Sequence, residues 1–212
     1  MQLGYTIVYV PDVAASLAFF ERAFGLQRKF LHESGTYGEL DTGETTLSFA
    51  AHALGDMNFA GGHVHADTST QPLGFEIALV TDDVPAAHAK AIAAQIEKTE
   101  AELLARGSAN ALAVAKRLTA ARQAFVDVVE FIAANTRSNP NAAFAGSVPY
   151  LMLAGNVVAG WQLARALLVA EDQLAAGTDA AFMQAKITTA RFYADHILSR
   201  VPGVRDSICE GA

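Results

Sequence analysis

The chain has 212 residues, of which 52% are hydrophobic and 17% charged, a balance typical of globular proteins and not of disordered ones. Its net charge of -7 and its lack of a lysine or arginine cluster exclude the basic surface that nucleic-acid binding requires. The single cysteine, Cys209, excludes an internal disulfide, and the first residues show no signal-peptide pattern, so the sequence predicts a cytoplasmic protein.

The first 51 residues have the pattern of an α/β module. A β-rich run over residues 3–10 is followed by a helical apolar stripe that starts after Asp12, a predicted N-cap, and ends at Gly25. Three strand-like runs follow, with turn residues between them, at positions 27–33, 36–41 and 45–51. The predicted order is β-α-β-β-β.

A second unit begins in the same way but stays incomplete. Residues 54–72 are rich in glycine and small polar side chains and predict a loop. Residues 74–80 predict a strand, and Pro85 suits the first turn of a helix that continues to Arg106. No strand pattern follows this helix, so the unit lacks its last three strands.

The rest of the chain is rich in alanine and predicts helices. They cover approximately residues 110–135, 147–175 and 180–201, with Ser147 as an N-cap and Pro202 as a stop. Together with the helix at 84–106 they predict a four-helix bundle. The most apolar stretch, residues 148–170, contains Arg165 and two amides, which favours a buried helix over a membrane span.

Three segments of the first half carry a resemblance to a known family. They are residues 4–12 (GYTIVYVPD), 16–26 (SLAFFERAFGL) and 74–84 (GFEIALVTDDV). These segments resemble the vicinal-oxygen-chelate superfamily, which contains glyoxalase I, the bleomycin-resistance proteins and the extradiol dioxygenases. The resemblance implies two βαβββ modules that form a cupped sheet around a ligand, and here it covers one module and the start of the next.

Four segments of the second half carry a different resemblance. They are residues 139–143 (NPNAA), 148–155 (VPYLMLAG), 160–165 (GWQLAR) and 190–196 (ARFYADH). These resemble the C-terminal helical domain of a subgroup of acyl-CoA dehydrogenases, in which the flavin and the catalytic carboxylate lie largely in preceding domains. The sequence therefore predicts an α+β protein: a truncated βαβββ-βα glyoxalase-like module over residues 1–95 and an all-α four-helix bundle over 96–212.

The first resemblance also identifies candidate site residues. Matched position by position, the metal ligands of that superfamily fall on Tyr5, Ser48 and Glu76, while the last falls on a missing strand. Tyrosine and serine are poor ligands for the metals in question, so the sequence predicts no metal, no cofactor and no catalytic residue. Tyr5, Ser48, Phe49 and Glu76 remain candidates for binding a small molecule, and Glu76 is equally well explained as an exposed carboxylate.

His63 and His65 are the only histidines at ligand spacing. They lie in the glycine-rich loop, with neither a cysteine nor a third histidine close by in the sequence. Two-residue motifs are weak, so we interpret the pair as a chance occurrence.

These observations favour a non-catalytic chimera, in which a metal-free small-molecule-binding module is fused to a helical interaction or oligomerisation domain. One alternative is a glyoxalase-type metal-dependent lyase or dioxygenase whose site is completed across a dimer. Another is an interaction module that docks on acyl-CoA dehydrogenases. Unpaired strand edges promote association, so a homodimer is expected. Neither a nucleic acid nor a membrane is an expected partner.

Overall fold

The computed structural model describes residues 3–71 and 73–211 and divides into two compact units, residues 1–82 and 83–212. Each unit has its own hydrophobic core. The sequence-predicted division at residues 95 and 96 marks where the family resemblance changes, whereas the division after Asp82 marks where the packing separates.

The first unit contains a four-stranded mixed sheet with a helix against one face. Its elements are β1 (Tyr5–Val10), α1 (Val13–Phe24), β2 (Gln27–Leu31), β3 (Tyr37–Asp41), β4 (Thr46–Ala51) and α2 (His52–Asn58). The strand order is β1-β4-β3-β2, in which β1 pairs with β4 in parallel and the other pairs are antiparallel. The predicted β-α-β-β-β order is confirmed.

Helix α1 begins and ends where its local sequence requires. The Asp12 carboxylate accepts a hydrogen bond from the Ala15 amide at 2.9 Å, which satisfies one of the free N–H groups of the first turn. Gly25 closes the helix with φ of 70°, a conformation that costs glycine little. Between these ends, Leu17 is fully buried against Leu40 and Phe49 of the sheet.

Two predictions for the segment after β4 differ from the structure. The predicted loop begins as the helix α2, and its last residue, Pro72, lies outside the described residues. The predicted strand at residues 74–80 is wrong, because these residues have no regular secondary structure and Val80 is 99% exposed. A strand needs a paired neighbour for its backbone groups, and the strands of a complete second module are the ones this chain lacks.

The second unit is helical throughout. Its elements are α3 (Val84–Arg106), α4 (Ala109–Asn135), α5 (Pro140–Ala145), α6 (Ser147–Ala175), α7 (Ala180–His196), a 3₁₀ turn (Leu198–Arg200) and α8 (Val201–Cys209). The four long helices α3, α4, α6 and α7 pack around one core, and α8 packs against α4 and α6. The predicted helical bundle is confirmed, with two additional short helices.

Helix α3 is continuous across the place where the two family resemblances meet. The Asp83 carboxylate accepts from the Ala86 amide at 2.9 Å, and Gly107 ends the helix with φ of 69°. Ile96 and Leu103 are fully buried in the bundle core. The prediction of one uninterrupted helix over residues 84–106 is therefore confirmed.

Two helix boundaries in the bundle differ from the sequence-based expectation. Ser147 is the first helical residue and not the cap, because α6 starts directly after α5 with Gly146 between them. Pro202 does not end the helical region. It lies in the first turn of α8, where a proline costs no intrahelical hydrogen bond.

Polar side chains tie α3 to its neighbours inside the bundle. The Arg122 guanidinium on α4 lies 2.9 Å from a carboxylate oxygen of Glu97 and 2.9 Å from one of Glu100. The Trp161 indole N–H on α6 donates to the Thr99 hydroxyl at 2.8 Å. Because Thr99 and Glu100 are buried, these partners satisfy groups whose isolation would be costly.

Among the described residues, one helix, α6, is long and apolar enough to cross a membrane on length and composition alone. Core helices of soluble proteins meet the same criterion. Leu153, Val157 and Leu167 of α6 are buried in the bundle core.

Gly160 allows the first prediction, because a Cβ at this position would lie 2.7 Å from both methyl carbons of Leu198, which is itself buried. We expect Gly160→Ala to lower the free energy of unfolding of the bundle by about 1–3 kcal/mol through overpacking. Gly203→Ala in α8 is the matched control, since its Cβ meets nothing within 4 Å and alanine favours the helix. Urea unfolding followed by helical circular dichroism measures both, and equal destabilisation would contradict the packing argument.

Candidate functional site

The sheet of the first unit has a polar face opposite the face that α1 covers. The Tyr37 hydroxyl lies 2.9 Å from the Glu39 carboxylate and 3.1 Å from the Ser48 hydroxyl. Tyr37 has a single phenolic proton, so it donates to the carboxylate and accepts from the serine. All three side chains are thereby held in one arrangement.

Lys29 extends this network towards the edge of the sheet. Its ammonium group lies 3.3 Å from the second carboxylate oxygen of Glu39 and donates to the Thr46 hydroxyl at 3.1 Å. Half of the Lys29 side chain is exposed, so this ion pair is screened by solvent. The polar face therefore presents hydroxyls and one neutralised carboxylate, and no excess of charge.

Burial raises the pKa of the Tyr37 phenol. The hydrogen bond with Ser48 acts in the opposite direction, while the hydrogen bond and the negative charge of Glu39 raise this pKa further. The phenol is therefore protonated at neutral pH and acts as a hydrogen-bond donor.

The four residues that the sequence proposed as ligand-binding candidates have different surroundings in the structure. Tyr5 is 61% exposed at the start of β1, and Ser48 is fully buried with its hydroxyl committed to Tyr37. Phe49 lies on the apolar face, where its ring centroid is 5.1 Å from that of Phe20. Glu76 lies in the segment without secondary structure.

These positions do not fit the metal of the vicinal-oxygen-chelate superfamily. A divalent ion needs several donor atoms that converge on one point from a rigid frame. Here the Ser48 hydroxyl is buried and occupied, and Glu76 has no strand to hold it. No chemistry through such a metal follows for this chain.

A different group of side chains does converge, at the C-terminal end of β4. His52 is the first residue of α2, and its Nδ1 lies 3.1 Å from Nε2 of His63. The ring of His65 stacks on that of His52, with centroids 3.8 Å apart. The chain returns to α2 through Gly61 and Gly62, whose φ values of 94° and 76° favour glycine.

Two carboxylates hold the outer side of this histidine cluster, which we define as His52, His63 and His65. Asp67 lies 2.8 Å from Nε2 of His52, and Asp56 lies 3.0 Å from Nδ1 of His63 and 3.5 Å from Nε2 of His65. Desolvation acts to raise the pKa of Asp56, but the hydrogen bonds and charges of His65 and His63 outweigh it and lower that pKa.

The cluster is packed as well as hydrogen-bonded. A Cβ at Gly55 would lie 2.5 Å from the ring of His63, so only glycine at this position in α2 permits the observed approach. Tyr9 lies against the same ring, with centroids 4.9 Å apart. The side chains of His52 and His63 are only 11% and 13% exposed, which limits the positions their rings can take.

Sequence reasoning missed His52, Asp56 and Asp67. The available signal was the spacing of His52 and Asp56, which places both on one face if the segment is helical. The glycine content of the segment favoured a loop instead. In a loop, residues four positions apart do not share a face. The proximity of His63 to His52 depends on the turn at Gly61 and has no local sequence signal.

Comparisons with known proteins agree with the two-part organisation. The family described as acetyl-CoA dehydrogenase C-terminal like matches residues 89–212, and the glyoxalase/bleomycin resistance protein/dioxygenase superfamily matches residues 2–100. Both matches include residues 89–100, which lie inside the continuous helix α3.

One curated relative is similar to this chain, the 3-methylmercaptopropionyl-CoA dehydrogenase of Ruegeria pomeroyi. The two are 44% identical over 127 residues, which cover 57% of this chain and 21% of that protein. The chain thus spans about a fifth of the length of the relative it matches. No solved structure matches the chain.

The polar face generates a prediction about alkaline pH. The pKa of Tyr37 is raised above its ordinary value of 10.0, so the unfolded chain loses this proton first as the pH rises. The stability that Tyr37 contributes is therefore complete below pH 10 and is lost as the pH rises through the raised value. We expect the difference in unfolding free energy between the wild type and Tyr37→Phe to shrink as the pH rises above about 10.

Urea titrations followed by the methyl NMR signals of Leu40 report on the first unit separately. Tyr9→Phe is the control, because the Tyr9 hydroxyl lies 3.4 Å from the Asn58 amide nitrogen and is not one of the groups that raise the Tyr37 pKa, so this variant should keep the pH dependence of the wild type. A difference for Tyr37→Phe that stays constant with pH would contradict the prediction.

Proposed function

The chain belongs to the acetyl-CoA dehydrogenase C-terminal-like family, and from that premise we propose that it is a non-catalytic fusion whose helical unit joins two copies of the chain. The glyoxalase-like unit is then carried as a pair, with its polar face as a surface for a small molecule. We propose a cytoplasmic location for this protein.

The observation that carries this proposal is an exposed apolar stripe along the first half of α6. Val148, Leu151 and Met152 are 71%, 71% and 62% exposed, although large apolar side chains of this kind are usually buried. The stripe, called the α6 stripe below, consists of Val148, Leu151, Met152, Gly155, Val158 and Ala159. Contiguous exposed apolar surface of this kind marks interaction sites.

The chemistry of the α6 stripe suits close packing against another helix. No charged residue lies on α6 before Arg165, so nothing on the stripe resists desolvation by charge. A Cβ at Gly155 would meet no atom within 4 Å, so this glycine makes no close approach to another part of the described chain. Its small size is available to a partner.

We favour a second copy of the chain as that partner because the stripe is complementary to itself. In an antiparallel pair that crosses at Gly155, Leu151 faces Ala159 and Met152 faces Val158 of the other copy. Large side chains then fill the space beside small ones, as helix packing requires. A two-fold axis uses the same surface twice, so one stripe is sufficient for a closed dimer.

The non-catalytic part of the proposal rests on the polar face. Its carboxylate, Glu39, is neutralised by Lys29, and its hydroxyls bind one another. A general base needs an available acceptor within reach of a substrate proton, and here both oxygens of the carboxylate already have partners, Tyr37 and Lys29. Ligand recognition through Tyr5 and Glu76, whose side chains are exposed, is the remaining role we propose for this unit.

Charged substitutions in the α6 stripe test the dimer. Leu151→Glu combined with Met152→Glu places two carboxylates where two apolar side chains meet, and we expect it to convert a dimer into a monomer of 22.3 kDa. Light scattering after size-exclusion chromatography measures the mass over a range of concentrations. Leu104→Glu on α3 is the matched control, because Leu104 is 59% exposed and lies outside the stripe.

Three outcomes decide the proposal. A dimeric wild type and control with a monomeric double variant support it. A monomeric wild type at every concentration overturns it. Stoichiometric association with a purified acyl-CoA dehydrogenase in place of self-association also overturns it, and assigns the stripe to a different partner.

A further inference from the structure

We infer that the histidine cluster at the end of β4 is a site for one transition-metal ion, held by the imidazoles of His52, His63 and His65. The site uses none of the superfamily positions Tyr5, Ser48 and Glu76. From the sequence we interpreted His63 and His65 as a chance pair in a metal-free module. The local sequence does not indicate that His52 lies beside them. The three residues offer ligand nitrogens that all lie within 4.8 Å of one another.

The strongest argument is the hydrogen bonding of the two least exposed rings. Asp67 lies 2.8 Å from Nε2 of His52 and Asp56 lies 3.0 Å from Nδ1 of His63, and a carboxylate at such a distance requires an N–H. A neutral imidazole has one N–H only. The inner nitrogens, Nδ1 of His52 and Nε2 of His63, are then both bare lone pairs.

These two inner nitrogens are 3.1 Å apart. Two lone pairs at that distance repel each other unless a positive species lies between them, which is either an additional proton or a metal ion. Zinc-to-imidazole bonds of about 2.0–2.1 Å in a tetrahedral arrangement place two ligand nitrogens roughly 3.3 Å apart. A small opening of the pair therefore produces the geometry of a bound ion.

His65 supplies the third ligand. Its ring is parallel to that of His52, with an interplanar angle of 2° and centroids 3.8 Å apart, so it must rotate to direct a nitrogen at the same point. The His65 side chain is 35% exposed, in contrast to the other two, and has the room to turn. A water molecule completes four-coordination.

The two aspartates act as positioning residues. Metal-bound histidines usually donate their second N–H to a carboxylate, which fixes the tautomer and the orientation of the ring. Asp67 and Asp56 occupy these positions for His52 and His63. Imidazole ligands with carboxylates behind them suit Zn²⁺, Ni²⁺, Co²⁺ and Cu²⁺ and are unsuited to Mg²⁺ or Ca²⁺.

Metal titration of the full chain tests the site. Untagged protein is treated with a chelator, exchanged into metal-free buffer, and titrated with Zn²⁺ by calorimetry and with Co²⁺ by visible absorption. We expect one ion per chain, a micromolar or lower Kd, and the absorption bands of tetrahedral cobalt. The absorption reports on coordination geometry, which binding at scattered surface groups does not reproduce.

Substitutions distinguish this site from other histidines. We expect His65→Ala and His63→Ala each to weaken Zn²⁺ binding at least about tenfold, and Asp67→Asn to weaken it about 10–100-fold. His88→Ala on α3 is the matched control, since His88 is exposed and distant in sequence, and it should bind like the wild type. Far-ultraviolet circular dichroism checks that each variant is folded.

The inference is overturned if the folded wild type binds no Zn²⁺ or Co²⁺, which leaves an additional proton as the bridge between the two rings. It is also overturned if Asp67→Asn and His65→Ala, both folded, bind Zn²⁺ as tightly as the wild type. The outcome is independent of the dimer, because the variants lie in a different unit from the α6 stripe.

Discussion

The packing of α3 into the helical bundle is the constraint on which the rest of the structure depends. Ala89, Ile96 and Leu103 are buried in the bundle core, and Glu100 is held by Arg122 of α4. Burial of each large apolar side chain contributes roughly 1.5–3 kcal/mol, so α3 is most stable as part of the bundle. A helix committed in this way cannot also serve as the first helix of a second glyoxalase-like module.

The first unit shows the consequence. Its core is small, centred on Val13, Leu17, Leu40, Leu47 and Phe49. Its sheet ends after four strands, and residues 74–80 have the composition of a strand without a neighbour to pair with. The polar face stabilises itself instead, through hydrogen bonds among Tyr37, Glu39 and Ser48. Through these contacts Ser48, one of the candidate binding residues, has a structural role.

Three glycines have different roles, and the difference depends on the atoms that surround each one. Gly160 touches Leu198 within the bundle, whereas Gly155 on the same helix faces open space. Gly55 permits the ring of His63 to lie against α2. The first supports folding of the bundle, the second supports the proposed dimer, and the third supports the proposed metal site.

The sequence by itself determined the features that depend on neighbouring residues. Asp12, Gly25, Asp83 and Gly107 set the ends of α1 and α3, because caps act within one turn of backbone. Only the tertiary structure decided whether residues 74–80 form a strand and whether His52 meets His63, since both depend on groups distant along the chain. A strand exists only with a partner to share its hydrogen bonds, and the two imidazoles meet only after the chain has reversed direction.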